Sequence, residues 1–197
     1  MKALNMPVLG KAVPEWGNKL SRALGRGFLT LSGWRFEGEL PDLPKFLIVV
    51  APHTSNWDFV YGIAALLGLG MRAHWLGKHT LFRKPFGGFM KWLGGIPVDR
   101  SQSHGVVEDT VAEFSQRPHF VLGVAPEGTR KKVQKWKTGF YYIAKEANVP
   151  ILTGFIDYAR KVVGFGPTIY PSGDIDSDLA TIQSFYALIG GKHPSKA

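Results

Sequence analysis

FLIVVAPHTSNWDF, residues 46–59, holds three kinds of local structure in one short stretch of chain. Six uninterrupted apolar residues, 46–51, read as a strand covered on both faces, since a half-buried strand would alternate apolar with polar. Pro52 and the polar residues behind it break the strand. From Trp57 to Leu69 the spacing becomes helical. Strand, turn and helix in this order form the repeating unit of an α/β sheet, and the chain downstream repeats it. FVLGVA at 120–125 is a second buried-type strand, and 73–77, 96–99, 150–156 and 168–170 are shorter ones. Helical spacing covers 85–94, 104–116 and 138–147. The expected architecture is α/β: a single domain, residues 41–197, with a mixed, largely parallel central sheet flanked by helices.

Upstream, residues 1–40 read as an N-terminal amphipathic helix and a linker. Trp16, Leu20, Leu24, Phe28 and Leu31 recur at helical steps over 14–32, with Lys19, Arg22 and Arg26 between them and Pro14 near the first turn. Gly17, Gly25 and Gly27 each cost a helix about 1 kcal/mol relative to alanine, so this one depends on a partner surface. That surface is either the α/β domain or a membrane interface.

A length of 197 residues suits one domain, and 45% hydrophobic content is enough to build its core. Twenty-four Lys and Arg against 15 Asp and Glu give a net charge of +9, which favours an anionic partner. The chain has no cysteine, which excludes disulfides, thiolate metal sites and a cysteine nucleophile. The longest mostly apolar run, 59–71, is thirteen residues with three glycines, short of the roughly 20 that a spanning helix needs. Pro7, Gly10 and Lys11 interrupt any apolar segment behind Lys2, so no secretory signal is read. The expected location is cytoplasmic, peripheral to a membrane at most.

Three segments could carry chemistry. His53 and Asp58 follow the first buried strand, and ligands of open α/β sheets sit beyond the carboxyl ends of strands. A carboxylate on one imidazole nitrogen fixes the tautomer and leaves the other as a base. Ser55 and Asp58 equally fit a helix capping box, in which His53 is incidental. Pro126-Glu127-Gly128-Thr129-Arg130 follows the second buried strand. Its glycine lets backbone approach a ligand, and its arginine offers a fork suited to phosphate. The same residues, with Lys131, Lys132, Lys135 and Lys137 behind them, also read as a turn entering a solvated basic helix. Gly95 through Arg100 brings a third segment to the same sheet edge, or makes a surface ion pair at Asp99. The histidines His74, His79, His104 and His119 lack metal-ligand spacing, so no metal is expected.

Taken in order, these segments resemble the glycerolipid acyltransferases typified by 1-acylglycerol-3-phosphate acyltransferase. His53 to Asp58 matches their H-x-x-x-x-D block, Gly95 to Arg100 a second, Pro126 to Arg130 their P-E-G-T-R block, and Val149-Pro150-Ile151 a fourth. The likeness covers roughly residues 45–160 and leaves 173–197 without a counterpart.

The resemblance implies an O-acyltransferase with no cofactor beyond its acyl thioester co-substrate, carried by coenzyme A or acyl carrier protein. His53 looks like the general base and Asp58 the residue that orients it. Arg100, Glu127, Gly128, Thr129 and Arg130 look like the group that binds a phosphate-bearing lipid acceptor. Val149, Pro150 and Ile151 look like a wall of the acyl or thioester site. An anionic membrane surface at the cytoplasmic face is the implied partner, and nucleic acid is not. Two other readings remain at this point: a basic module that binds anionic lipid or nucleic acid without catalysis, and a hydrolase using the same histidine and aspartate on water.

Overall fold

The computed structural model describes residues 4–98 and 105–196. Among these residues seven strands form one sheet, in the order β1-β7-β6-β2-β5-β3-β4. The strands are β1 (Arg35–Glu37), β2 (Lys45–Val50), β3 (His74–Lys78), β4 (Gly95–Val98), β5 (Phe120–Val124), β6 (Ile151–Asp157) and β7 (Val162–Ile169). β2, β3, β4, β5 and β6 run parallel, while β7 pairs antiparallel to β6 and parallel to β1. The mixed, largely parallel sheet expected from the sequence is therefore what the chain builds.

The continuous apolar strands are explained by helices on both faces. Phe46 and Ile48 of β2 face one core with Leu29, Ala64 and Leu69, from α1 (Lys19–Leu31) and α2 (Trp57–Leu69). Leu47 and Val49 face the other, with Phe114, Phe140 and Ile182. These come from α4 (Val106–Gln116), α5 (Gly139–Glu146) and α6 (Ile175–Tyr186). A further helix, α3 (Gly87–Trp92), lies beside β4.

Three elements depart from the sequence reading. The N-terminal helix begins at Lys19, capped by Asn18, and not near Pro14; the preceding chain is extended, with Glu15 bridged to Met71. It meets the α/β domain through a face other than the stripe of Leu20, Leu24 and Leu31. Gly25 and Leu29 are buried, while Leu20, Leu24 and Leu31 are exposed. A Cβ on Gly25 would lie 2.5 Å from both the Ala64 oxygen and the Gly68 nitrogen, so the glycine lets the α1 and α2 backbones touch. Second, the strand expected at 168–170 is the end of the longer β7, which leaves β6 by a tight turn. Third, residues 173–197 contribute α6 to the core: the Tyr186 hydroxyl donates to the Val49 oxygen at 2.6 Å, and the Tyr141 hydroxyl to Asp178 at 2.8 Å.

Candidate active site

The loop that leaves β2 carries His53 past the carboxyl end of the central strand, and the first turn of α2 brings Asp58 back to it. His53 Nδ1 lies 3.1 Å from Asp58 Oδ2. The same oxygen accepts the amides of Thr54 and Ser55, each at 2.8 Å. The carboxylate that holds the two amides ahead of α2 is therefore also the one that meets the imidazole. By closing the start of α2, Asp58 fixes the loop and aims its carboxylate at the imidazole. With Nδ1 committed to Asp58, Nε2 is the nitrogen left to take a proton.

Asp58 is 4% exposed. Burial alone would push its pKa up, but the donors from His53, Tyr158 and the Ser55 amide outweigh that cost and hold it below the ordinary carboxylate value. The Tyr158 hydroxyl donates to Asp58 Oδ1 at 2.7 Å. Tyr158 stands one residue past the carboxyl end of β6, and the sequence reading did not include it. The signal was present: strands parallel to β2 must end on the same edge, so their last residues converge on His53.

Glu127, on the loop after β5, is buried and uses both carboxylate oxygens on the His53 backbone amide, at 3.1 and 2.8 Å. Burial pushes its pKa up, the His53 amide pulls it back, and the charge of Asp58 adds to the rise. Glu127, expected from the sequence in the acceptor-binding group, has its carboxylate on the backbone that carries His53. Gly128 turns at φ 64°, a conformation that favours glycine. Beyond it Thr129 and Arg130 are exposed. Arg130 Nη1 donates to Asn56 Oδ1, which ties the third motif to the first. Arg100, assigned to the same group from the sequence, lies outside the described residues.

Val149, Pro150 and Ile151 are elsewhere. They stand at the amino end of β6, buried in the core beneath α5, and Ile151 pairs with Leu47 near the start of β2. The strand is seven residues long and spans about 20 Å, so these residues do not border the group around His53. The wall of an acyl or thioester site expected here is thus placed away from His53, and it is the opposite end of β6 that reaches that group.

The carboxyl-terminal segment completes the surroundings. The Tyr158 amide donates to the Gly190 oxygen at 2.8 Å, and the His193 amide to Thr54 Oγ1 at 3.3 Å. Lys192 Nζ sits 4.9 Å from the centre of the Trp57 ring.

A family model described as acyltransferase matches residues 38–157. The 1-acyl-sn-glycerol-3-phosphate acyltransferase of Streptococcus pneumoniae (strain ATCC BAA-255 / R6) is 26% identical, the match covering 78% of this chain and 64% of that protein. The chain thus spans just under two thirds of the length of that curated relative. The crystal structure of the 1-acyl-sn-glycerophosphate (LPA) acyltransferase PlsC from Thermotoga maritima superposes with a TM-score of 0.62 at 19% identity. That match covers 85% of this chain and 75% of the other, and it shows a shared fold. The chain belongs to the acyltransferase family.

Proposed function

We propose that this member of the acyltransferase family moves a fatty acyl group from an acyl thioester, on coenzyme A or acyl carrier protein, to a hydroxyl of a lysophospholipid such as 1-acylglycerol-3-phosphate. The observation that carries the reading is the contact between His53 Nδ1 and the buried Asp58 at the carboxyl edge of the sheet. His53 Nε2 takes the proton of the acceptor hydroxyl as its oxygen attacks the thioester carbonyl and the C–O bond forms. The tetrahedral intermediate collapses with cleavage of the C–S bond, and the thiolate leaves with the proton returned from His53. Asp58 remains an anion and stabilises the imidazolium in between. No acyl group is held by the protein.

Arg130, tied to the loop of His53, supplies a guanidinium for the acceptor phosphate, with Arg100 as the second candidate. Glu127 acts through the His53 backbone and not on the acceptor.

The acyl chains of such substrates reside in a bilayer, and among the described residues no helix is long and apolar enough to cross one. Peripheral docking at an anionic, cytoplasmic membrane face is the proposed alternative. Leu20, Leu24 and Leu31 of α1 and Phe86, Phe89 and Trp92 at α3 are exposed, and Trp16 joins the two groups by contact with Trp92 at 5.3 Å between ring centres. Lys19 and Lys91 on these helices, and Arg83 and Lys84 just before α3, are exposed, and basic residues near an anionic surface contribute about 1 kcal/mol each.

Incubation with labelled acyl thioesters and a panel of lysolipids tests the reaction. Acylated lipid is expected only when an acceptor is present; free fatty acid released equally without acceptor would make the protein a hydrolase. Co-sedimentation tests the location. Binding should require anionic vesicles, weaken with salt and fall in Leu24→Asp and Phe89→Asp; equal binding by both variants would remove this face as the docking surface.

A further inference from the structure

We infer that Tyr158 is a positioning residue of the pair formed by His53 and Asp58, and that the carboxyl-terminal segment 190–193 holds it in place. The inference rests on the proposed reaction and extends it to residues beyond the family match, which ends at 157.

The two oxygens of Asp58 have different neighbours. Oδ2 takes His53 Nδ1 and the two amides, whereas Oδ1 takes the Tyr158 hydroxyl at 2.7 Å. A hydroxyl whose hydrogen points at Oδ1 hinders a proton from settling there. It therefore keeps the carboxylate charged, as the reaction requires when His53 becomes an imidazolium. The phenol remains a donor across the working pH range, because burial and the neighbouring Asp58 push its pKa far above the ordinary tyrosine value.

Its position depends on two supports. The ring stands edge-on to Trp34 at 5.0 Å and to Tyr61 at 5.9 Å. The backbone is held by the chain terminus, through the bond from the Tyr158 amide to the Gly190 oxygen. That terminus lies flush on the loop of His53. A Cβ on Gly191 would come 2.9 Å from Thr54 Cγ2 and 3.2 Å from Pro52 Cγ, and the His193 amide donates to Thr54. The Lys192 ammonium faces the Trp57 and Tyr158 rings at 4.9 and 5.8 Å, pinning the segment over both.

Tyr158→Phe keeps the ring and removes only the donor, so the full-length variant is expected to fold. Its kcat should fall about tenfold, the size of one charge-assisted hydrogen bond. The KM values for thioester and acceptor should hold, and the acid limb of the kcat profile should move to higher pH. Gly191→Val, which pushes the segment off the loop, should lower kcat in the same manner by a smaller factor. A second measurement does not depend on turnover: the downfield proton resonance of His53 Nδ1–H, assigned by its absence in His53→Ala, should shift in Tyr158→Phe. If wild-type protein transfers acyl groups while Tyr158→Phe matches it in kcat and acid limb, the inference fails and the proposed reaction stands. If no thioester reacts, the proposed reaction fails, and an unmoved resonance in Tyr158→Phe then overturns the inference separately. A Gly191→Val protein with full kcat would remove the supporting role of the segment.

Discussion

His53 and His74 stand at opposite edges of the same sheet. His53 follows the carboxyl end of β2, where the helix start, the loop after β5 and the turn after β6 converge, and its Nδ1 meets a buried carboxylate. His74 opens β3 at the amino edge, its ring 5.0 Å from that of Phe120 and its Nε2 3.5 Å from Arg117 Nη1. Burial, then the charges of Arg72 and Arg117, lower its pKa to about 4 against weaker opposition from the Gly94 backbone and Glu113. One histidine is paired with an anion and the other is kept neutral between cations. The ring is the same, and the charge that the fold brings to it sets its use.

The contrast is sharpest in activity. His53→Ala should lower kcat by about 10²–10⁴-fold, the usual contribution of a positioned base, while His74→Phe, which preserves the stack on Phe120, should stay within about twofold. Steady-state kinetics on the two folded variants measures this; comparable losses would dissolve the distinction between the edges.

Stability should reverse the ranking. Ile151 is fully buried at the amino edge, and Ile151→Ala should cost about 2–5 kcal/mol in denaturant unfolding. The kcat of the folded fraction should be unchanged, because the residue lies at the far end of β6 from Tyr158. A large fall in kcat without loss of stability would return the fourth motif to the reaction site.

A smaller effect is expected at the rim of the carboxyl edge. Arg130→Ala should raise the acceptor KM about tenfold and leave the thioester KM unchanged, with Arg130→Lys rescuing only part, since an ammonium lacks the bidentate fork. An unaltered acceptor KM would point to an acceptor without phosphate.

A last effect is the pH dependence from His74. Its folded pKa, about 4, is below the ordinary 6.5, so the unfolded chain binds the proton more readily. Above pH 6.5 the group contributes nothing to the pH dependence, and stability is lost as pH falls from about 6.5 towards 4. Melting curves across that range should be flatter for His74→Phe than for wild type; parallel curves would show that the ring is not neutralised by its surroundings.

Local pattern accounts for much of this molecule. Apolar runs of six residues are poorly solvated on either face, so β2 and β5 were legible as strands covered on both faces, and α2 was legible to the residue. His53, Asp58 and Arg130 were legible as candidates because each lies just past the carboxyl end of such a strand. The rest depended on long-range pairing. That Tyr158, and not Ile151, reaches His53 follows from β6 running parallel beside β2, a pairing that the tertiary structure sets. Glu127 carries no local sign that both its oxygens will be spent on an amide 74 positions away. For α1, periodicity located the helix and its apolar residues, but the close approach at Gly25 turned Gly25 and Leu29 inward and left Leu20, Leu24 and Leu31 outside. Periodicity reports that a residue prefers burial. Which surface buries it, and which charge it meets there, is set by backbones that pack from distant parts of the chain.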